Sequence, residues 1–307
     1  MTFLKGRALN WAITATAGSG FLLFGYDQGV MSGLLTGDAF TRTFPEIDTT
    51  DGAGGNATLQ GTVVAIYEIG CFFGAIFCLL VGERLGRRRC IMIGCVVLAI
   101  GAVLQAAAFG IPQMIVGRIV AGLGNGMNTS TIRTTLPYTC VDRTVLTLRC
   151  VAVWHSELMK PENRGKGLAI ELAINIFGVM ISYWVDYGMS YVKNDSQFRF
   201  PLALQVLFAI TTFAGILFLP ESPRWLVAHD RHEEARQILW AVHPEAKSIT
   251  QDDPQLSRSI AEIQETVREE REAAQSSTFK AMFKNGEQRF RYRTLLGIGG
   301  QSMQQVN

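Results

Sequence analysis

The feature that most constrains this chain of 307 residues is a series of six apolar stretches, each long enough to cross a lipid bilayer. The hydrocarbon core of a bilayer is about 30 Å thick, and an α-helix crosses it with about 20 mostly apolar residues. The predicted spans are Trp11–Leu35, Leu59–Val81, Cys90–Phe109, Pro112–Ile132, Gly167–Tyr187 and Phe200–Leu219, and a further apolar stretch begins near Thr294. These stretches predict an all-α, multi-pass membrane protein.

The distribution of basic residues predicts how the chain is oriented. Short cytoplasmic loops of membrane proteins carry an excess of Lys and Arg. Basic residues precede the first span and follow the second, namely Lys5, Arg7, Arg84, Arg87, Arg88 and Arg89. The loop between these spans, residues 33–57, is acidic and carries Arg42 as its one basic residue. We therefore expect residues 1–10 to be cytoplasmic and the acidic loop to lie outside.

The composition changes after Leu219 to a charged and polar linker, residues 220–292. Two amphipathic helices are predicted there, because apolar residues recur at helical spacing. The first helix carries Ala235, Ile238, Leu239 and Val242, and the second carries Leu256, Ile260, Ile263 and Val267. We expect their apolar faces to pack on the cytoplasmic side of a bundle formed by residues 11–219.

Asp27 is the strongest single candidate for a functional residue, because an ionisable group inside an apolar span is costly and usually functional. At 1.5 Å per residue it lies roughly 24 Å from a helix start near Trp11, and Arg118 lies at a similar depth in the fourth span. The two are predicted partners, either as a proton-coupling device or as a static ion pair that fixes helix register. Glu68 and Glu171 are weaker candidates; for Glu171, a side chain that reaches the cytoplasmic edge is the preferred interpretation.

Charged motifs recur at the predicted cytoplasmic ends of the spans. Acids and bases brought together there could form ion pairs in one conformation and break them in another, which predicts a gate. A basic loop on its own would instead be only a topology signal. The candidate gate residues are Glu83, Arg84, Gly86, Arg87, Arg88, Glu157, Arg164, Glu221 and Arg224.

The ordered set of motifs resembles the sugar porter family of the major facilitator superfamily, most closely its fungal proton-coupled members. The motifs are Gly25-Tyr26-Asp27, Arg84-Leu85-Gly86-Arg87-Arg88, Gly117-Arg118, Ser156-Glu157, Arg164-Gly165, Pro220-Glu221-Ser222-Pro223-Arg224-Trp225 and Gln304-Gln305. The resemblance implies an amino-terminal six-helix bundle, the cytoplasmic linker and the start of a seventh helix at residues 293–307. It also implies a missing carboxy-terminal half of six helices and alternating access to a sugar held between the halves.

The resemblance also implies roles for individual residues. Asp27 and Arg118 would be the proton-coupling pair, and Phe24, Gln304 and Gln305 would contact the sugar. Carboxamides suit this task because they offer both donors and acceptors to vicinal hydroxyls. A sugar-binding Gln that the family commonly has in its fifth helix is replaced here by Leu172. The solute could therefore be a hexose, a pentose or a small polyol.

Residues 133–152 do not fit the family pattern and are predicted to be an anomalous insertion. They carry several Arg residues and no membrane periodicity, and they stand where the family has a Pro. Codons for Arg133, Val151 and Ala152 can bound an in-frame tract from GT to AG whose removal restores a Pro codon. A retained intron is our preferred interpretation, with a genuine family insertion as the alternative.

The sequence therefore predicts transport of a sugar or polyol by proton symport in a plasma-membrane protein, with the chain as written expected to be incomplete and inactive. The alternatives are a transporter-like nutrient sensor and a non-functional truncated or mis-spliced product. Expected partners are the solute, a proton, the lipid bilayer and the missing half. No catalytic, cofactor-binding or metal-binding pattern stands out, and no basic stripe suggests nucleic acid. We do not expect an enzyme.

Overall fold

A computed structural model describes residues 5–49, 54–129, 158, 164–243 and 253–276, and the regular secondary structure of these residues is helical, with no β-strand among them. Each of the six predicted spans coincides with a long helix. In chain order the helices are α1 (Arg7–Leu34), α2 (Asp38–Thr43), α3 (Ala57–Leu85), α4 (Arg87–Ala106), α5 (Ile111–Thr129), α6 (Arg164–Ser190), α7 (Ser196–Phe218), α8 (Pro223–Ala228), α9 (His232–Val242) and α10 (Pro254–Ser276).

Four helices of the described chain are both long and apolar enough to cross a membrane: Ala57–Gly82, Arg87–Ala106, Ala169–Ser190 and Ser196–Phe218. The other two predicted spans, α1 and α5, are continuous helices that do not meet this combined criterion. These two helices carry the buried polar residues Asp27, Arg118, Asn125 and Asn128. The lower apolar content of α1 and α5 therefore reflects polar side chains that lie inside the bundle.

The six long helices pack as two groups that share contacts. α1 lies along α6 and α7, α5 packs between α3 and α4, and α4 also contacts α7. Glycines permit the closest crossings: a Cβ on Gly25 would lie 1.9 Å from the carbonyl oxygen of Asn175, and one on Gly122 would lie 2.3 Å from that of Tyr67. Small residues at such crossings allow the close backbone approach on which membrane helix packing depends.

Helix ends are fixed by local hydrogen bonds. The Asn56 side chain caps α3 by accepting bonds from the backbone N–H groups of Thr58 and Leu59, at 2.9 and 3.3 Å. Gly86 separates α3 from α4 with a positive φ of 85°, which glycine adopts without strain. A Cβ at this position would also lie 2.7 Å from Oε2 of Glu221.

The two amphipathic helices predicted in the linker are present as α9 and α10. Ala235 and Val267 share a buried cluster with Leu226 and Val227 of α8. Ala241 belongs to the cluster of the bundle core that contains Leu9 and Leu219. The amino terminus joins this contact: the N–H of Gly6 donates to Ala241 and the Asn10 amide donates to Val242, at 2.7 and 3.0 Å. The predicted insertion 133–152 and the predicted start of a seventh helix, 293–307, lie outside the described residues.

Candidate functional site

Asp27 lies inside the bundle, where three helices contribute to its surroundings. Its side chain is 2 % exposed. The Tyr67 hydroxyl of α3 donates to Asp27 Oδ2 at 2.9 Å. The same hydroxyl accepts a hydrogen bond from the Asn125 amide of α5. A chain of hydrogen bonds therefore runs from α5 through α3 to the acid on α1.

Arg118 belongs to the same cluster but contacts Asp27 indirectly. It is 3 % exposed, and its guanidinium donates to the carbonyl oxygens of Val63 and Val64 at 3.3 and 3.2 Å. The guanidinium carbon also lies 4.9 Å from the Tyr67 ring centroid. Asp27 and Arg118 make no direct salt bridge in the part of the chain that the structure describes. The expected direct partnership is replaced by Tyr67, because main-chain carbonyls and an aromatic ring already satisfy the cation.

This arrangement can bind and release a proton at Asp27. Tyr67 donates to Oδ2, but Oδ1 is buried and has no hydrogen-bond partner among the described residues. A buried carboxylate with incomplete hydrogen bonding is costly in its charged form, and binding a proton removes that cost. The cationic Arg118 nearby favours the charged form. The two influences oppose each other, which suits a group that changes its protonation state.

Tyr67 and Asn125 were not identified from the sequence, although a signal for Asn125 was present. It stands two helical turns after Arg118 and therefore on the same face of α5. Tyr67 is adjacent to Glu68, the residue that drew attention to that span, but Glu68 is exposed on α3 while Tyr67 is buried. The preferred interpretation of Glu171 was wrong: its side chain is 2 % exposed and does not reach out to solvent.

The predicted sugar contacts are only partly described. Phe24 is half-buried on α1, three residues before Asp27. Gln304 and Gln305 lie outside the described residues, so their roles stay predictions. Leu172, which replaces the expected Gln, is 42 % exposed on α6.

Some of the charged motifs meet at a junction centred on Glu221. Its carboxylate accepts hydrogen bonds from the backbone N–H groups of Arg87, Arg88 and Ser222, at 3.1, 3.2 and 3.0 Å. The Arg88 guanidinium donates to the carbonyl oxygen of Leu217 at 2.6 Å. Burial raises the pKa of the Glu221 carboxyl above its usual value, although these backbone bonds act in the opposite direction. A carboxylate at the amino terminus of α4 is also stabilised by the positive end of the helix dipole.

The remaining gate candidates are placed less fully. Arg84 is exposed at the end of α3, and Arg224 is half-buried in α8. Glu83 and Arg164 belong to α3 and α6, but their side chains are not described. Glu157 lies outside the described residues. The junction therefore unites Gly86, Arg87, Arg88 and Glu221 through main-chain contacts, and the wider gate stays a prediction.

A bundle of long apolar helices with a buried acid, a buried arginine and a charged junction at one end is the architecture of an integral, multi-pass membrane protein. The chain belongs to the sugar (and other) transporter family, whose family model matches residues 11–137 and 146–307. The interval between the matched ranges falls inside the predicted insertion 133–152.

Individual relatives agree with this family. The chain is 41 % identical over 302 residues to the MFS-type transporter oryC of Aspergillus oryzae, a match that covers 98 % of this chain and 51 % of the relative. It is 36 % identical over 307 residues to the sugar transporter STL1 of Saccharomyces cerevisiae, with 98 % and 50 % covered. The chain thus spans about half the length of these curated relatives.

A solved structure gives the same fold. The proton:xylose symporter XylE, bound to 6-bromo-6-deoxy-D-glucose, superposes with a TM-score of 0.69 at 23 % sequence identity. The match covers 88 % of this chain and 55 % of XylE. The predicted family and fold class, an all-α bundle of the major facilitator type, are confirmed.

Proposed function

We propose that the protein carries a sugar or a small polyol across the membrane together with a proton. The observation that carries this proposal is the buried cluster of Asp27, Tyr67, Asn125 and Arg118. Its acid lies inside the bundle, has one unsatisfied oxygen and lies near a cation that it does not touch. Intramembrane acids of this kind mark proton relays in transporters.

Family membership and the named relatives support the solute class. One relative is named a sugar transporter, and the structural neighbour is a proton:xylose symporter. The sugar would lie beside Phe24 and contact Gln304 and Gln305, with a second six-helix half completing the cavity. That half is proposed because the chain spans only about half of its relatives. Polyols remain candidate solutes because Leu172 stands where the family commonly has a sugar-binding Gln.

The proposal includes an orientation and a location. Residues 1–10 would be cytoplasmic, and the protein would reside in the plasma membrane. The basic junction at Gly86, Arg87 and Arg88 would then face the cytoplasm, where Lys and Arg accumulate. The Glu221 carboxylate holds this junction together in the present conformation. Opening toward the cytoplasm would require these bonds to break.

The test uses the complete coding sequence expressed in yeast cells that lack their own hexose and glycerol uptake. Labelled glucose, xylose and glycerol are offered at acidic external pH, with and without a protonophore. We expect saturable uptake of at least one solute and its collapse with the protonophore. Absence of uptake by protein seen at the plasma membrane would contradict transport. Uptake that ignores the protonophore would contradict proton coupling alone.

A further inference from the structure

Asp186, near one end of α6, is a second buried acid that the Asp27 cluster does not use. Its side chain is 8 % exposed, and neither carboxylate oxygen has a hydrogen-bond partner in the described part of the chain. It lies directly against α1: a Cβ on Gly33 would be 2.4 Å from Asp186 Oδ2. The carboxylate therefore occupies space that only a glycine on α1 leaves open.

The carboxylate borders a cavity of about 170 Å³ between α1, α2, α6 and α7. This volume is enough for several water molecules, since one water takes about 30 Å³ in the liquid. The cavity is lined by Gly33, Leu34, Thr36, Gly37, Asp38, Phe40, Asp186, Ser190, Gln197 and Phe198. Asp38 is exposed, so the cavity reaches the surface on the side of the acidic loop.

The polar groups around the cavity are engaged elsewhere. Gln197 Oε1 accepts from the N–H of Ala39 at 2.8 Å, and its Nε2 donates to the Ser190 carbonyl oxygen at 3.4 Å. The Ser190 hydroxyl donates to the carbonyl oxygen of Tyr187 at 2.7 Å. These donors are therefore not available to Asp186 in this conformation.

The ionisable groups of the surrounding helices do not supply a positive charge. α1 presents Gly33 to the carboxylate, and the buried Tyr26 on the same helix donates its hydroxyl to the Pro201 carbonyl oxygen at 2.9 Å. α2 contributes Asp38, which carries the same charge as Asp186, and Arg42, which lies outside the cavity lining and donates to the carbonyl oxygens of Asp38 and Lys193 at 3.0 and 3.3 Å. On α7, Arg199 lies outside the cavity lining and pairs with Asp195 at 3.6 Å. None of the described residues that line the cavity is basic.

We propose that Asp186 is a second proton-binding site, reached from the outer solution through this cavity. A buried carboxylate with neither a donor nor a cation is costly, and one proton taken up at a carboxylate oxygen neutralises it. Release returns the proton to the water of the cavity and leaves a charge against the α1 backbone. That charge favours hydration and separation of the α1–α6 contact. The protonation state of Asp186 thus biases the outer side of the bundle.

The site is separate from the proton-coupling cluster but shares a helix with it. Gly33 follows Asp27 by six positions on α1, a rise of about 9 Å. Movement of α1 at Gly33 would therefore reach Asp27 within two helical turns. This link to transport rests on the proposed function, whereas proton binding by Asp186 does not.

Infrared difference spectroscopy on the purified complete protein tests proton binding directly. We expect a carbonyl band of a protonated carboxylic acid at neutral pH that Asp186→Asn removes. The matched control Asp38→Asn, on the same cavity, should keep the band. If Asp186→Asn does not fold, Asp27→Asn serves instead and must still show a protonated acid. The proposal would be overturned if the wild-type protein or the Asp27→Asn variant showed no such band. It would also be overturned if Asp186→Asn left the band unchanged.

Two further measurements separate this site from its alternatives. Replacing choline by sodium in the buffer should leave the band unchanged; its loss on adding sodium would identify a metal-cation site and contradict the proposal. In uptake assays, Asp186→Asn should lose the stimulation by acidic external pH, while Asp38→Asn keeps it. If the infrared band is lost but wild-type uptake shows no dependence on pH, the proposed proton symport fails while proton binding at Asp186 stands.

Discussion

Tyr67 connects the two ionisable residues at the centre of the bundle. Its hydroxyl donates to Asp27 and its ring lies beside the Arg118 guanidinium, 4.9 Å from the ring centroid. A tyrosine in this position can hold both groups in place without a direct ion pair. It keeps a hydrogen-bond donor on the acid and a favourable surface under the cation.

Replacement of Tyr67 by Phe tests this role, because it keeps the ring and removes the hydroxyl. A hydrogen bond to a charged group contributes about 1.5–3 kcal/mol, and tenfold corresponds to about 1.4 kcal/mol. We therefore expect proton-dependent uptake to fall about tenfold or more, while solute exchange persists. The control Tyr183→Phe removes a hydroxyl from an exposed tyrosine on α6. Equal effects of the two substitutions would contradict the assigned role.

At the scale of residues, the sequence identified the ionisable groups of the site but not the residues that they contact. Asp27 and Arg118 were predicted because ionisable residues stand out in apolar spans. The same reasoning proposed a direct pair, since nothing in the sequence shows that Val63 and Val64 offer their carbonyl oxygens to Arg118. Tyr67 was missed because a tyrosine in a membrane helix has many possible roles. Its partner could be found only once the fold brought the Tyr67 hydroxyl to the Asp27 carboxylate.

At the scale of helices, close crossings determine which elements meet. α1 approaches α6 where Gly25 faces Asn175, and α3 approaches α5 where Tyr67 faces Gly122. The sequence predicted the positions of the six long helices, because length and hydropathy define them locally. It did not predict α2 or the cavity beside it, since both depend on how the loop after α1 folds over α7. Beyond the expected contact between Asp27 on α1 and Arg118 on α5, it also gave no pairing of helices.

A glycine substitution measures the importance of one such crossing. Gly25→Ala would place a Cβ 1.9 Å from the Asn175 carbonyl oxygen. Overpacking of this kind costs about 1–3 kcal/mol, so we expect a clearly lower melting temperature and lower yield. Gly188→Ala is the matched control on α6, because nothing lies within 4 Å of its Cβ position. Thermal melts of both purified variants decide the matter, and similar melting temperatures would contradict the packing described.

The Glu221 carboxyl makes the free energy of unfolding depend on pH, through the junction between α4 and the segment after α7. Because burial raises the pKa of this carboxyl in the folded protein, the folded state takes up a proton more readily than the unfolded chain. Stability contributed by this group is therefore fully present below the ordinary Glu pKa and falls as the pH rises through the raised value. Glu221→Gln should remove this part of the pH dependence in melts from acidic to neutral pH. Glu234→Gln, at an exposed linker residue, should retain it, and the reverse result would refute the account.

At the scale of the whole molecule, much apolar surface remains open. Phe72, Trp184 and Phe218 are 61, 66 and 76 % exposed. Lipid can cover surfaces of this kind, and so can the second half proposed above. The family match establishes the fold of the bundle, but the predicted sugar contacts Gln304 and Gln305 and the predicted gate residue Glu157 lie in parts of the chain that the structure does not describe. The sugar contacts were predicted from the resemblance, and Glu157 was predicted from the charged motifs at the helix ends.

The predicted insertion 133–152 belongs to this scale because it would alter the path of the chain after α5. We expect mature transcripts to lack the tract and to encode a Pro in its place. Sequencing of the transcript beside the genomic locus tests this. A transcript that retains the tract in every mature copy would contradict the retained intron.

The central claim is that Asp27 couples the solute to a proton, and one measurement addresses it most directly. The complete protein and its Asp27→Asn variant are reconstituted in liposomes with an inward proton gradient and a labelled solute that the wild-type protein transports. The variant keeps the size of the side chain and its hydrogen bonding while it removes the titrating group. We predict that it loses accumulation against a gradient and retains exchange of labelled for unlabelled solute. Accumulation equal to that of the wild-type protein would contradict the claim.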